Sequence, residues 1–478
     1  MISKIFLTKL FAYQWVKIGL IVFGVSAVGT TGLVAVKQIS DNRQVNLVQP
    51  TAPEAETPIF PEGFNTNFPA ESTNGGSDGQ KAGQKATVKN SGSSGASQSS
   101  GDSSGASSNS SSQDSGQDSG ESADQSSDNV LSSCGANYSF FSHSPLDSSN
   151  FTGLVPLGNL NPSGHTFPTD HIYFYLTNPN QKSAVYAPGN ATVTKISASE
   201  HVGQGYTDYS ISFKPCSELE VYFLHISSLS QTLQNVLVAP YGWDSTYTTG
   251  GSTYRNYGKN VSVSVSAGDQ IGTAGGNPGQ NALDMGAYDT RTTLNFINPS
   301  ARQNSVHTVC PIDYYSGNLK TTLMGRFGDY DGDPKRTTEP VCGSIDQDAA
   351  ETAQGIWLVK GTTKVSGEDP HLALVHNNIY PNKAVFSVGT SMSASGLPAK
   401  PFEFYPSGSG LVNRDFDDVR SDGNIYCYQL DGQGWVEGNF TIILQLTFST
   451  ALKIEKQSSA SCGSGPWTFT GNQSEFVR

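Results

Sequence analysis

Beyond Asn137, apolar and polar residues alternate in short runs such as "ATVTKISA", "DYSISFKP", "LEVYFLHI", "NVSVSVSAGDQIGTAGG", "HLALVHNN", "AVFSVGT" and "FTIILQLTF". The runs are rich in β-branched and aromatic residues, Gly, Pro, Asn and Asp separate them, and none carries the stripe of a useful helix. The predicted fold is therefore all-β, as barrels or sandwiches. In "VSVSVSAGD" the valines Val261, Val263 and Val265 share one face and serines the other, a half-buried strand running into a turn. In "VYFLHI", alternation puts Val221, Phe223 and His225 on one face and Tyr222, Leu224 and Ile226 on the other. His225 thus ends an apolar face, either hydrogen-bonded in a core or aimed into a cleft. In "DHIYFYL", Asp170, Ile172 and Phe174 face one way and His171, Tyr173 and Tyr175 the other.

The first third reads differently. Ile18 to Val36 is uncharged and apolar, preceded by Lys4, Lys9 and Lys17 and closed by Lys37. Its length suits a transmembrane helix or signal anchor, with residues 1–17 cytoplasmic and the rest exported. A cleaved signal peptide, cut near "VSA" at Val25 to Ala27, and a buried helix are the other readings. Residues 37–71 read as an extended juxtamembrane segment. From Ser72 to Ser133 the chain is dominated by Ser, Gly, Gln and Asp, too poor in apolar surface to offset its ordering entropy. It reads as a disordered tether.

About 345 residues remain, enough for two modules. A change of character between Thr290 and Val309 divides them into 134–300 and 301–478. The net charge of -13, with no Lys/Arg cluster, argues against nucleic acid as a partner. All six cysteines lie beyond the tether without a C-x-x-C pair, which favours disulfides in an oxidising compartment over a zinc ribbon or redox site. Cys310 with Cys342 and Cys427 with Cys462 are the simplest pairings.

Candidate chemistry concentrates in "GHTFPTDHIYFYL", which holds His165, Asp170 and His171. Further on, Asp329, Asp331 and Asp333 alternate in "GDYDGDPKRT", but Pro334 stands where a calcium loop needs Gly and no Glu follows at the required distance, so this is a solvated turn. Trp357 in "GIWLVKGTTK" reads as core. His371 and His376, five apart, would face opposite sides of one strand and make no ligand pair.

In order, "AVYAPGNATVTKIS", "VYFLHISSLS", "VSAGDQIGTAGG" and "NALDMGAYD" resemble the landmarks of lysostaphin-type zinc metalloendopeptidases, which cut peptidoglycan cross-links. The resemblance spans Gly158 to Asp289 and implies a lysostaphin-like β-barrel or sandwich. It implies His165 and Asp170 as metal ligands, one residue further apart than the family's H-x-x-x-D, and His225 as the histidine assisting the attacking water. "ALD" replaces the family's His-x-His, so Asp284 stands as third ligand and Ala282 where a second assisting histidine belongs. The resulting His/Asp/Asp set suits zinc or another, harder divalent metal.

Asp170 and His171 can hardly both bind one ion. The resemblance selects Asp170, with His171 pointing away. Pairing or loop-capping by His165 and Asp170 is the structural alternative. The implied function is a membrane-anchored exported protein with a divergent metallopeptidase-like domain, weakly active or inactive, that recognises cell-wall polymer or peptide. An active metal-dependent hydrolase and a structural surface-display protein are the alternatives.

Overall fold

The computed structural model describes residues 131–249, 252–363, 365, 367–431 and 440–478. The expected anchor and nearly all of the tether lie outside the described residues. Among those described, no helix is long and apolar enough to cross a membrane.

Two β-rich modules make up this part of the chain, each around its own core. The first is a ten-stranded antiparallel sheet formed by β1 (Phe151–Val155), β2 (His171–Leu176), β3 (Ser183–Tyr186), β4 (Ala191–His201), β5 (Tyr206–Lys214), β6 (Leu219–Leu229), β7 (Trp243–Thr249), β8 (Ser252–Val265), β9 (Gln270–Ala274) and β10 (Ala282–Asp289). Its main path runs β1-β2-β10-β6-β5-β4-β8-β7, with β9 joining β3 to β6. One short helix, α1 (Gln231–Val236), follows β6.

One face of this sheet is apolar because alternation makes it so. Ile172, Phe174, Ile196, Ile211, Phe213, Val221, Phe223, Met285 and Ala287 are all buried in one cluster. The other face carries His171, Tyr173, Tyr222, Asp284, Gly286 and Tyr288. Register sets these opposite one another: Asp284 pairs with Tyr173 of β2 and Leu224 of β6, and Gly286 with His171 and Tyr222.

The segment from Pro299 to Ile345, which includes α2 (Gly317–Met324), packs on this first core through Ile312, Tyr314, Tyr315, Leu323, Phe327 and Ile345. The compositional change at 290–309 overlaps the start of this segment. The second core begins only at Ala353.

The second module comprises β11 (Gly355–Val359), β12 (Leu372–His376), β13 (Ala384–Val388), β14 (Lys400–Phe404), β15 (Tyr426–Gln429), β16 (Thr441–Phe448), β17 (Ala451–Gln457) and β18 (Ser474–Val477). Their order, β14-β13-β12-β11-β18-β17-β16-β15, curls into a nearly closed barrel. Its two end strands meet inside, the rings of Phe404 and Tyr428 lying 4.9 Å apart. Trp357 is fully buried, as its setting in the sequence predicts.

Three disulfides hold the modules: Cys134 to Cys216, Cys310 to Cys342 and Cys427 to Cys462. No cysteine is left free. The two pairings predicted from proximity form, and the bonds mark an oxidising, extracytoplasmic compartment.

Candidate functional site

The polar face of the first sheet gathers His165, His171, His225 and Asp284, with Asp170 and Asp208 behind two of the imidazoles. Asp284 sits mid-strand on β10 and is 2 % exposed. His171 Nε2 approaches Asp284 Oδ2 at 3.4 Å, and His225 Nε2 approaches the same oxygen at 3.3 Å. Each histidine is backed by another carboxylate. His171 Nδ1 lies 3.2 Å from Asp170 Oδ1, and His225 Nδ1 lies 2.8 Å from Asp208 Oδ2. A carboxylate on Nδ1 fixes the tautomer and ring angle and aims Nε2 at the centre.

Asp170 is a hub. It accepts hydrogen bonds from the hydroxyls of Tyr222 at 2.9 Å, Tyr288 at 2.6 Å and Ser305 at 2.6 Å, besides its contact with His171. Burial alone would raise its carboxyl pKa, but His171 and the hydroxyls of Ser305 and Tyr288 outweigh burial and hold it far below the usual carboxylate range.

The imidazoles divide in the same way. Burial would lower His225, but the charges of Asp208 and Asp284 lift it well above its ordinary value. His171 is likewise raised, against burial, by Asp170 and Asp284. His165, whose ring lies 5.5 Å from that of His171, is pushed down to about 4 by burial and by the neighbouring His171 charge. It is therefore neutral at pH 7.

Two expectations are corrected here. His171 does not point away: β2 begins at His171, its alternation puts His171 and Tyr173 on the face of Asp284, and Asp170 lies behind that imidazole. Strand register pairs Gly286 with His171, so Asp170 and Asp284 are not side by side. The second concerns His225, which alternation assigned to the face of Val221 and Phe223. His225 has φ 64°, a left-handed conformation unusual for a residue with a side chain. This breaks the alternation, so Ile226 joins Phe223 in the core while His225 turns to the site. The residues that sequence reasoning missed are His171 and Asp208. The pattern of "DHIYFYL" already placed His171 on the right face.

Gly286 has a plain steric reason. A Cβ there would collide with the ring and hydroxyl of Tyr222, the same hydroxyl that serves Asp170. Gly286→Ala is expected to cost about 1–3 kcal/mol by overpacking. A shift in urea midpoint at unchanged slope would show this, whereas an unchanged midpoint would mean that Tyr222 can move without loss.

The donor types suit a divalent ion, and buried His171 Nε2 and Asp284 Oδ1 lack hydrogen-bond partners. The separations of 3.3 and 3.4 Å from Asp284 Oδ2 match the edge, about 3.4 Å, of a tetrahedron with bonds near 2.1 Å. Among the described residues, only Cys134, Cys216 and Glu218 bring three donor atoms within 4.8 Å of one another, and the two cysteines form a disulfide. The imidazoles of His171 and His225 therefore flank Asp284 without closing the third edge. No family model matches the chain, and a search of curated proteins returns no match.

Proposed function

We propose that the first module is a divergent lysostaphin-type domain in which His171, His225 and Asp284, with His165 beside them, take a divalent cation. Zinc is the ion that two imidazoles and a carboxylate suit best. One observation carries the reading: two carboxylate-backed histidines present Nε2 to one oxygen of a buried aspartate. A resident zinc would polarise a carbonyl and acidify a bound water.

The chain's own residues have separate roles. Asp170 and Asp208 orient the imidazoles, and Asp284 supplies the central charge. His165, which burial keeps neutral, is an imidazole free to serve the ion as a further ligand. Ala282 leaves the position of a second assisting histidine empty of any proton-handling group, a loss worth roughly 10²–10⁴-fold where acid–base catalysis operates. The module therefore binds, or cuts slowly, a cell-wall peptide or polymer outside the membrane, with residues 18–36 as anchor.

A closed site without metal, serving recognition or display, is the second reading. It is favoured by the open edge between His171 and His225.

Elemental analysis and zinc calorimetry on the purified protein separate the two. One zinc per chain is expected, abolished by Asp284→Ala and by His171→Ala. Absence of stoichiometric metal, with no heat on zinc addition, would leave the recognition reading alone.

A further inference from the structure

The geometry points to the second module as the clamp that positions the His165 loop, with Glu368 and His371 as positioning residues for the site of the first module. This rests on the metal-site reading for its consequence but not for its contacts.

The loop between β1 and β2 is closed at its base by its own backbone. Gly158 N–H donates to Thr169 O at 2.9 Å and Thr169 N–H to Asn159 O at 3.1 Å, while Asn161 and His165 exchange two bonds of 2.9 Å. These bonds define a hairpin-like loop but do not say where it leans against the sheet. That is decided two residues past His165, at Phe167.

Phe167 is 1 % exposed, yet its neighbours are not the first core. It clusters with Ile356 and Leu358 of β11 and with Ala373 and Val375 of β12, the outward face of the second barrel. Its ring stacks on His371 at 5.6 Å and 8°. Its N–H donates to Glu368 Oε2 at 2.8 Å. Arg302 completes the socket: its guanidinium donates to Pro168 O at 2.9 Å, lies over the Phe167 ring and stands 3.8 Å from Glu368.

The side chain of Phe167 is thus a plug in a socket built mainly by the second module and closed by Ala301 and Arg302 of the segment that packs on the first core, and the backbone on both sides of it is held. His165 lies on the same loop, so its distance to His171 depends on the plug staying seated. A loop free of the socket would keep its internal bonds but lose its fixed tilt. The second module then has a definite task, which is to fix one imidazole of the neighbouring site from behind, as an outer-shell partner does.

The test uses the full chain with Glu368→Ala, Glu368→Gln, His371→Ala and His371→Phe. Two readouts are taken: hydrogen exchange of the peptide spanning 159–169, and zinc affinity by calorimetry. Both alanine variants should speed exchange of that peptide by about 10-fold or more while β12 keeps its protection, and weaken zinc by about 10–100-fold, the usual effect of losing an outer-shell partner. Glu368→Gln keeps an acceptor for Phe167 N–H and should return toward wild type; His371→Phe keeps the ring stack but removes the Nδ1 that accepts from Val359 N–H at 3.2 Å, so it should restore protection of the loop while β11 loses some. A purely structural role would not sort the variants by acceptor and ring in this way.

Unchanged exchange at 159–169 in both alanine variants would overturn the clamp. So would faster exchange with zinc affinity intact, because His165 would then not depend on the plug. If the unsubstituted protein binds no zinc, the metal reading fails by itself, and loop exchange still decides whether the second module holds the loop.

Discussion

Asp170→Ala is expected to destabilise the first module by about 3–5 kcal/mol, the cost of stranding the partners of a buried charged group. Three hydroxyls, from Tyr222, Tyr288 and Ser305, and the Nδ1 of His171 all converge on this carboxylate. Its removal leaves those groups buried among themselves. Asp170→Asn would preserve shape but present an amide donor to a ring of donors, so it should recover only part of the loss. The urea midpoint measures the effect, and a cost below about 1 kcal/mol for the alanine variant would show that water replaces the carboxylate without penalty.

The same residue sets an acid limit. Its folded pKa is depressed, so the stability it contributes is present above the unfolded value of about 4 and is lost as pH falls through the folded value below it. Wild type should therefore lose stability steeply in strong acid. Asp170→Asn should show a shallower slope over that range, because the group responsible is gone.

The second large effect is at Cys134 and Cys216, which close a loop of 82 residues. Loop-closure entropy assigns this bond about 4.5 kcal/mol, against about 3.7 kcal/mol for Cys310 with Cys342, separated by 32. Replacing both cysteines by serine should thus lower the midpoint more than either other pair does. Local bonds soften the loss without removing it: Cys134 N–H and Ser133 Oγ both donate to Glu218, at 2.7 and 2.6 Å. If the three double-serine variants ranked in reverse order, native strain or residual structure in the unfolded chain, rather than loop length, would govern these bonds.

How much of the site was legible can be judged from particular residues. Alternation in "HIYFYL" correctly separated Ile172 and Phe174, which are in the core, from His171 and Tyr173, which face Asp284. Choosing Asp170 over His171 went against that alternation. The resemblance favoured an acidic residue at a position that lies just before the strand, where a side chain follows loop geometry rather than strand period. Asp208 carried no signal at all, because a carboxylate on another strand shows nothing of the imidazole it will meet.

By itself, the sequence determined what depends on near neighbours: the period of the regular strands, which face is apolar, the turns, the proximal cysteine pairs and the burial of Trp357. These follow from side-chain direction and local chain entropy, which act over a few residues. Tertiary structure alone decided the rest. The left-handed backbone of His225 is tolerated because Asp208 and Asp284 hold its ring and Ile226 fills the core in its place. The seat of Phe167 against β11 and β12, some 200 residues further on, likewise exists only once both modules are folded, because each half of that contact is an unremarkable surface until the other arrives.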